Sequence, residues 1–327
     1  MGKTGASLGG YRLISRVRAG GMAEVYLAES PMGARVALKR ILPHFDDDPR
    51  YVEWLREEIR IGLGLRHPNV VRVLDHGEEG GHPFLVMEFV DGISLGHVRA
   101  RSRVRRHTAT PLPVVAALLS QAAAAIDYVH RRGIVHGDVT PANLLVSLGD
   151  RRDPRRTGAG LLKLCDFGVA WQVEDAAISR GRPLAGNPAY VAPEQAAGSQ
   201  GDRGSDVFSL AVCAWELLAG RRLFARGSTE ATLEMVRKAE VPRVEALRRE
   251  PHLEAVLRKA LARDPADRLP SARALGDAFL DWLVAHEESD LAMSLWLGAL
   301  DDEQPAPNHP RPEPTHTALL DDAQAAA

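Results

Sequence analysis

Apolar and polar positions follow two different patterns along the chain, and the pattern changes near residue 91. Before it, short apolar runs are separated by glycine-rich or charged segments, which predicts β-strands. One longer segment spaces its apolar residues among charges, as an amphipathic helix does. We therefore predict a small, sheet-rich lobe with one helix. The predicted strands cover residues 11–17, 24–27, 36–39, 70–74 and 83–90, and the helix covers residues 51–65.

Beyond residue 91 the pattern becomes helical. Residues 113–132 are rich in Ala and Leu over the length of a helix. Residues 206–219 are apolar on nearly every face, which indicates a central, buried helix. The second lobe is therefore predicted to be mainly α. Further helical patterns cover roughly residues 229–239, 252–262 and 271–286.

The same patterns set the expected boundaries. Residues 1–10 are glycine-rich and polar, so we expect a flexible N-terminus. The N-lobe is expected to cover about residues 11–90 and the C-lobe about residues 91–286. Residues 287–327 are expected to form an extension that is disordered from about residue 301, where the chain becomes Pro-rich and acidic.

The composition of the chain is typical of a folded, globular protein. With 327 residues, 45% of them hydrophobic, the chain can bury a sizeable core. Its formal net charge of -2 gives no overall attraction to nucleic acid or to an anionic membrane. Cys165 and Cys213 lie in apolar runs, which favours a reducing compartment, with the cytoplasm as the expected location. The longest apolar stretch, residues 207–219, contains Glu216 and is too short to cross a bilayer, so no membrane span is predicted.

Two short motifs carry the candidate chemistry. Residues 136–143 read HGDVTPAN, and residues 166–168 read DFG after a strand-like run. Asp138 can accept a proton from a hydroxyl, and Asn143 follows in the same motif. Asp166 opens the second motif with another carboxylate. Residue types in this arrangement are typical of phosphoryl transfer.

A glycine-rich turn and a strand lysine point to a triphosphate. Residues 18–23 read RAGGMA, and small residues there let backbone N–H groups approach phosphates. Alone this is a weak signal, because Arg18 stands where such loops usually have glycine. Lys39 ends the apolar strand VALK at the spacing expected of a phosphate-binding lysine. A carboxylate of the next helix can orient that lysine, and we predict Glu58 for this role, with Glu57 as its rival.

These motifs, in this order, resemble the eukaryotic-type (Hanks-type) serine/threonine protein kinases, especially bacterial members with a GGMxEVY loop. The resemblance covers about residues 11–286. It implies an α+β, two-lobed protein kinase fold, with an N-lobe built on a small antiparallel sheet and one helix, and a mainly α C-lobe. It also implies transfer of the γ-phosphoryl group of ATP to hydroxyls of protein substrates, with Mg²⁺ or Mn²⁺ as the metal.

The resemblance also assigns roles to individual residues. Asp138 is the implied base, and Lys39 is the implied partner of the α- and β-phosphates. The implied catalytic residues are Asp138, Lys39, Glu58 and Thr140, and the implied metal ligands are Asn143 and Asp166. The implied nucleotide-binding residues are Val17, Gly20, Gly21, Val25, Ala37, Lys39, Glu88 and Val90.

Further matches lie outside the nucleotide-binding motifs. Residues 192–194 read APE, and Arg268 ends the segment DPADR. By resemblance, Glu194 pairs with Arg268 and pins the peptide-docking segment. Asp206, which opens the apolar helix, would hydrogen-bond the backbone of the catalytic loop. The Ala-Pro-Glu segment and its arginine partner favour a protein acceptor.

Several positions depart from the family pattern. Thr140 stands where lysine is usual, and Asn187 where threonine is usual, so we hypothesise that these two residues bond to each other or to Asp138. Gly137 replaces the arginine that normally meets a phosphorylated activation loop. Arg18 replaces the first loop glycine and is expected to hamper nucleotide entry. We therefore expect a slow kinase.

The activation segment offers little to phosphorylate. Between residues 168 and 192 the only hydroxyl-bearing residues are Ser179 and Tyr190. Because Gly137 also lacks a positive charge, a phosphate on this segment would have little to order. We expect activity that does not require phosphorylation of the segment.

Two other functions remain open at this stage. A pseudokinase would keep the fold and bind nucleotide as a scaffold without turnover. The sequence HGD is also similar to the catalytic loop of small-molecule phosphotransferases that act on aminoglycosides or choline. The arginine-rich run at residues 99–106 could dock an acidic partner, although a solvated helix face is the commoner explanation.

Overall fold

The computed structural model describes residues 6–45, 48–106, 109–149, 160–168, 170–172 and 186–287. All of the predicted C-terminal extension beyond residue 287 lies outside these residues. The chain divides into two compact units. Within the described residues, unit 1 contains the chain up to Val90 together with residues 166–168. Unit 2 contains the described part of residues 91–165 and the described chain from Ala170 onward.

Unit 1 is built on one antiparallel sheet and a helix. The strands are β1 (Ser7–Leu8), β2 (Tyr11–Ala19), β3 (Ala23–Glu29), β4 (Arg35–Ile41), β5 (Val73–Glu79) and β6 (His82–Glu88), and a short 3-10 turn covers Pro43–Phe45. The strands lie in the order β1-β2-β3-β4-β6-β5. Leu38 and Val86 belong to the apolar cluster on one face. Ile41 and Leu85, on the other face, pack with residues of helix α1 (Pro49–Leu63).

Helix α1 begins where its sequence allows a cap. The side chain of Asp48 accepts a hydrogen bond from the N–H of Arg50, and Pro49 occupies the first helical position, where its missing N–H costs nothing. Tyr51, Leu55 and Glu58 are buried at spacings of three and four residues. The helix therefore turns one predominantly apolar face, with a single glutamate in it, toward the sheet.

The strand predicted over residues 70–74 is wrong in position. Val70 and Val71 are buried outside any strand, and β5 instead runs through mostly polar residues. Gly80 and Gly81 have φ values of 64° and 88°, which suit a two-residue hairpin turn whose twist matches the strands. This turn places Glu79 opposite His82 and thereby fixes the register of β5 on β6.

The N-terminus is also more ordered than expected. Leu8 lies opposite Tyr11 across a turn in which Gly9 and Gly10 both have positive φ. The N–H of Gly9 donates to the carboxylate of Glu79 at 2.6 Å. The expectation of a flexible N-terminus is therefore wrong for residues 7–10, because a second glycine-pair hairpin ties them to the sheet.

Unit 2 is mainly helical. Its helices are α2 (Leu95–Arg106), α3 (Leu112–His130), α4 (Pro193–Ala196), α5 (Arg203–Ala219), α6 (Thr229–Lys238), α7 (Pro251–Ala260) and α8 (Ala272–Ala285), with 3-10 turns at Glu245–Leu247 and Pro265–Asp267. Its short strands are β7 (Gly92–Ser94), β8 (Ile134–Val135), β9 (Leu144–Ser147), β10 (Leu162–Leu164) and β11 (Trp171–Gln172). They pair in the orders β10-β9-β7 and β11-β8.

Helices α3 and α5 provide much of the core of unit 2. Most side chains of α5 are buried, and the helix begins at a cap in which Asp202 accepts from the N–H of Ser205. It ends at Gly220, whose φ of 66° is the left-handed conformation that terminates helices. Helix α3 is long and apolar enough to cross a bilayer, but most of its residues are buried within the unit. That burial is typical of a core helix.

Candidate active site

Three adjacent strands of unit 1 bring Arg18, Val25 and Lys39 into one row. Arg18 of β2 lies opposite Val25 of β3, and Val25 lies opposite Lys39 of β4. Residues directly opposite one another share a face of the sheet, so these three side chains lie on the face that packs against α1. Ala37, two residues before Lys39, shares this face. The predicted nucleotide-binding residues of β3 and β4 are therefore neighbours.

Lys39 is held by two carboxylates. Its Nζ donates to Oε1 and Oε2 of Glu58 at 2.8 and 2.7 Å, and to Oδ1 of Asp166 at 2.7 Å. Glu58 is buried, whereas Glu57 pairs with Arg60 near the surface of α1. The predicted partner of Lys39 is thus Glu58, and the rival Glu57 is excluded.

Burial and charge act in opposite directions on this cluster. Burial disfavours the charged form of Lys39, but the negative charges of Asp166 and Glu58 outweigh it and raise the pKa of Lys39 above its ordinary value. Burial also raises the pKa of Glu58, and Lys39 offsets this only in part. Since both oxygens of Glu58 accept from Lys39, we take the pair to be ionised.

The backbone around Asp166 is shaped for this contact. Asp166 has a φ of 69°, in the left-handed region that non-glycine residues rarely adopt, and such strain clusters at functional sites. At Gly168, an added Cβ would lie 3.2 Å from Oε2 of Glu58 and 3.4 Å from Nζ of Lys39. A larger residue at position 168 would therefore crowd the ion cluster.

The other predicted nucleotide-binding residues lie at the ends of strands in unit 1. Val17 is 57% exposed, at a bulge in β2. Gly20 and Gly21 lie in the connection from β2 to β3. Glu88 ends β6, and the half-buried Val90 follows it. Their roles toward a nucleotide stay predictions.

Asp138 and Asn143 are joined by hydrogen bonds within residues 136–143 of unit 2, the predicted catalytic loop. The Nδ2 group of Asn143 donates to Oδ2 of Asp138 at 2.8 Å and to its main-chain oxygen at 3.0 Å. The N–H of Asn143 donates to the carbonyl oxygen of Thr140 at 3.0 Å, which closes the loop. Because Asn143 is fully buried, these bonds hold the carboxylate of Asp138 in one orientation.

Asp206 supports this loop from the first turn of α5. Its carboxylate accepts the N–H groups of His136 and Gly137 at 2.8 and 2.9 Å. The ring of His130 lies 2.7 Å from the same carboxylate. Burial alone would raise the pKa of Asp206, but these partners outweigh it and lower the pKa below its ordinary value. The predicted bond from Asp206 to the loop backbone is therefore present, and His130 is a partner that the sequence did not reveal.

The hypothesised contact between Thr140 and Asn187 takes another form. The main-chain N–H of Asn187 donates to Oδ1 of Asp138 at 3.3 Å, and its side-chain oxygen accepts from the N–H of Ala189 at 3.1 Å. Thr140 is buried, and among the described residues no hydrogen bond joins its side chain to that of Asn187. The bond to Asp138 uses a group that every residue except proline has, so it does not depend on asparagine.

Gly137 has a conformational reason to be glycine. Its φ of 76° lies in the left-handed region, which costs glycine nothing and other residues about 1 kcal/mol or more. A missing positive charge is therefore one of two consequences of glycine at this position. The structure adds that the main-chain N–H of Gly137 must point at Asp206.

The predicted ion pair of the peptide-docking segment is present in unit 2. Arg268 donates to Oε1 and Oε2 of Glu194 at 2.8 and 2.5 Å, a bidentate geometry. Ser205 adds a hydrogen bond to Glu194. Burial works against the charge of Glu194, but Arg268 outweighs it and lowers the pKa of that carboxyl.

A second buried ion cluster, around Glu216, was not predicted from the sequence. Glu216 of α5 accepts from the hydroxyl of Tyr190 at 2.9 Å, and Arg99 and Arg222 lie 3.5 and 3.8 Å from the same oxygen. A glutamate inside an apolar helix was the available signal. Arg99 therefore faces the interior rather than a solvated helix face, and Tyr190 is buried. Ser179, the other hydroxyl of the activation segment, lies outside the described residues.

The donor atoms fit a hard divalent cation. Asp166 offers a carboxylate in unit 1 that already attracts two positive side chains. In unit 2, Asn143 directs its amide nitrogen to Asp138, so the part of its side chain able to bind a cation is the amide oxygen. No cluster of three or more His, Cys, Asp or Glu side chains suited to a metal occurs in the part of the chain that the structure describes.

Comparison with known proteins decides the family. The family model of the protein kinase domain matches residues 11–280 of this sequence. This chain belongs to the protein kinase family. The kinase domain of PknI from Mycobacterium tuberculosis is 30% identical, with a TM-score of 0.63 over 86% of this chain and 99% of that chain. The predicted protein kinase fold, with a sheet-based N-lobe and a helical C-lobe, is confirmed.

Curated relatives are bacterial protein kinases. Tyrosine-protein kinase MasK of Myxococcus xanthus is 34% identical over 302 residues, which are 88% of this chain and 45% of that protein. Serine/threonine-protein kinase PknA of Mycobacterium tuberculosis is 34% identical over 283 residues, which are 84% of this chain and 62% of that protein. The chain thus spans between 45% and 62% of the length of these two relatives.

Proposed function

We propose that this protein is an ATP-dependent serine/threonine protein kinase that uses Mg²⁺ or Mn²⁺. One observation carries the proposal: each unit holds its part of the phosphoryl-transfer machinery in an ordered network. In unit 1, Lys39 is fixed between Glu58 and Asp166. In unit 2, Asp138 is fixed by Asn143 in a loop that Asp206 supports. A scaffold that only kept the fold would have no need of both networks.

Each residue of the site has a separate proposed role in the transfer of the phosphoryl group. Bound ATP supplies the phosphoryl group, and the metal ion offsets the negative charge of its phosphates. Lys39, oriented by Glu58, would bind phosphate oxygens, and oxygens of Asp166 in unit 1 and of Asn143 in unit 2 would be the metal ligands. Asp138 accepts the proton of the acceptor hydroxyl. The bonds from the amide of Asn143 and from the N–H of Asn187 orient its carboxylate for this role.

The acceptor is proposed to be a serine or threonine of a protein. The bidentate Glu194–Arg268 pair fixes the segment that follows Tyr190, as a peptide-docking surface requires. One relative is named a tyrosine kinase and another a serine/threonine kinase, so the acceptor residue must be measured. Transfer from labelled ATP should be offered to a generic protein and to an aminoglycoside in parallel. We expect labelled phosphoserine and phosphothreonine; label on the aminoglycoside or only on tyrosine would refute the proposed acceptor.

The catalytic rate is proposed to be low. Thr140 lacks the positive charge that usually neutralises the transferring phosphate, and loss of one such group costs about a hundredfold in rate. Thr140→Lys tests whether the site compensates for this loss. If it does, the variant loses activity, because the added charge would disturb groups that already replace it. A large gain in kcat would show that the site is uncompensated.

Activity is proposed not to depend on a phosphorylated activation segment. Tyr190 is buried with its hydroxyl bonded to Glu216, so Ser179 is the hydroxyl to test in this segment. We expect Ser179→Ala to keep the wild-type steady-state rate within about twofold, since Gly137 provides no charge to meet a phosphate. A steady-state rate far below wild type under the same conditions would refute this.

A further inference from the structure

Arg18, the residue that replaces the first glycine of the loop, contacts the predicted metal ligand of unit 1. Its Nη1 lies 3.8 Å from Oδ2 of Asp166, while the other oxygen of this carboxylate accepts from Lys39 at 2.7 Å. Each oxygen of Asp166 therefore faces a positive side chain. The side chains of Arg18 and Asp166 are 36% and 32% exposed, so this pair is open to solvent and ions.

A β-bulge in β2 places the side chain of Arg18 on the face of the sheet where it contacts Asp166. Arg16 lies opposite Tyr26 and Arg18 opposite Val25, so Val17 is an extra residue between them. Tyr26 and Val25 are consecutive and point to opposite faces of the sheet, and the two arginines do the same. Arg16 accordingly contacts Glu24, whereas Arg18 joins the face that carries Lys39. The contact with Asp166 is thus built into the strand.

Of the two positive side chains that contact Asp166, Arg18 is easier for a metal ion to displace than Lys39. Lys39 is buried and is also held by both oxygens of Glu58, so it is anchored independently of Asp166. Arg18 is more exposed, and its contact with Asp166 is longer. A divalent cation that binds Oδ2 of Asp166 would therefore replace Arg18 rather than Lys39.

We propose that Arg18 is a resident counter-cation of Asp166, which a divalent metal ion must displace, so that Arg18 sets the metal concentration required for nucleotide binding. This inference rests on the proposed function, because it requires Asp166 to bind the metal. Exposed ion pairs are weak, typically below about 1 kcal/mol, which corresponds to a change of about two- to fivefold in the required metal concentration.

The test is a titration of Mn²⁺ into the full chain with a fluorescent, non-hydrolysable ATP analogue, with fluorescence as the readout. Arg18→Ala should lower the Mn²⁺ midpoint about two- to fivefold and leave the affinity for the analogue at saturating Mn²⁺ unchanged. Arg18→Lys should stay near the wild-type midpoint. Arg12→Ala is the matched control, because Arg12 lies on the same strand in a surface ion pair with Glu29.

The outcomes separate this inference from the proposed function. If the wild type binds the analogue and the Arg18→Ala midpoint is unchanged or raised, the inference is overturned while nucleotide binding stands. Weaker binding of Arg18→Ala at saturating Mn²⁺ would also overturn it, since Arg18 would then act as a phosphate ligand. If no protein binds the analogue at any Mn²⁺ concentration, both the inference and the proposed function fail. Thermal unfolding of each variant checks folding, and Arg18→Gln replaces Arg18→Ala if the latter unfolds.

Discussion

At the scale of single residues, Lys39 illustrates how a buried charge is tolerated. It is paired with Glu58 and Asp166, and removing one partner of a buried ion pair leaves an uncompensated charge. The pair could be predicted, because Glu58 falls on the apolar face of an amphipathic helix. The contact with Asp166 could not, because strand and helix periodicities say nothing about residues so distant in sequence.

We expect Glu58→Gln to lower the free energy of unfolding by about 2 kcal/mol, less than full loss of a buried pair because Asp166 still binds Lys39. The matched control is Glu57→Gln, which removes only a pair with Arg60 near the surface and should change it by less than about 0.5 kcal/mol. Urea unfolding measures both. Equal effects of the two substitutions would contradict the structure of this cluster.

Gly137 provides a second test at this scale. Because its φ is 76°, Gly137→Ala should lower the free energy of unfolding by about 1 kcal/mol. Gly227→Ala is the control, since no atom lies within 4 Å of the Cβ position there and its φ is outside the left-handed region. That variant should be neutral or slightly stabilising. A Gly137→Ala variant as stable as wild type would mean that the loop backbone has another conformation.

At the scale of elements, a short glycine turn determines the position of a strand that hydrophobic patterns did not predict. Strand β5 is polar, so its position follows from the hairpin at Gly80 and Gly81 rather than from its own pattern. Long, strongly periodic helices such as α3 and α5 were predicted within a few residues. The inward position of Arg99 on α2 was not predicted, because it is set by Glu216 on another helix.

Asp206 links α5 to the catalytic loop, and its lowered pKa makes a prediction about pH. A carboxyl with a lowered pKa in the folded state contributes stability above its ordinary value of 3.8, and this contribution is lost as the pH falls through the lowered value. Asp206→Asn should therefore destabilise the protein at neutral pH by about 2 kcal/mol or more, because an amide offers one oxygen acceptor instead of two.

The difference between wild type and Asp206→Asn should begin to shrink as the pH falls below 3.8, where Asp206 of the unfolded chain becomes protonated, and it should be lost once the pH is below the lowered pKa of the folded protein. Unfolding by urea at several pH values measures this. A difference that stays constant down to pH 2 would contradict the proposed ionisation of Asp206.

At the scale of the whole molecule, the family and its fold follow from motifs spread over both units. The order of the motifs was sufficient to predict the kinase fold, although the first loop glycine and the catalytic-loop lysine are absent. The sequence could not show how the chain accommodates these changes. Arg18 proves to have a partner in Asp166, and Asn187 reaches Asp138 through its backbone.

The proposed function requires Asp138 to act as the base of a phosphoryl-transfer enzyme. The most direct test compares the single-turnover rate of transfer to a protein acceptor for wild type and Asp138→Asn, with nucleotide affinity measured on the same samples. General-base catalysis is worth about 10²–10⁴ in rate, so we expect Asp138→Asn to lose at least a hundredfold in rate and to keep its nucleotide affinity. Equal rates in the two proteins, or nucleotide binding by the wild type without any transfer, would contradict the account.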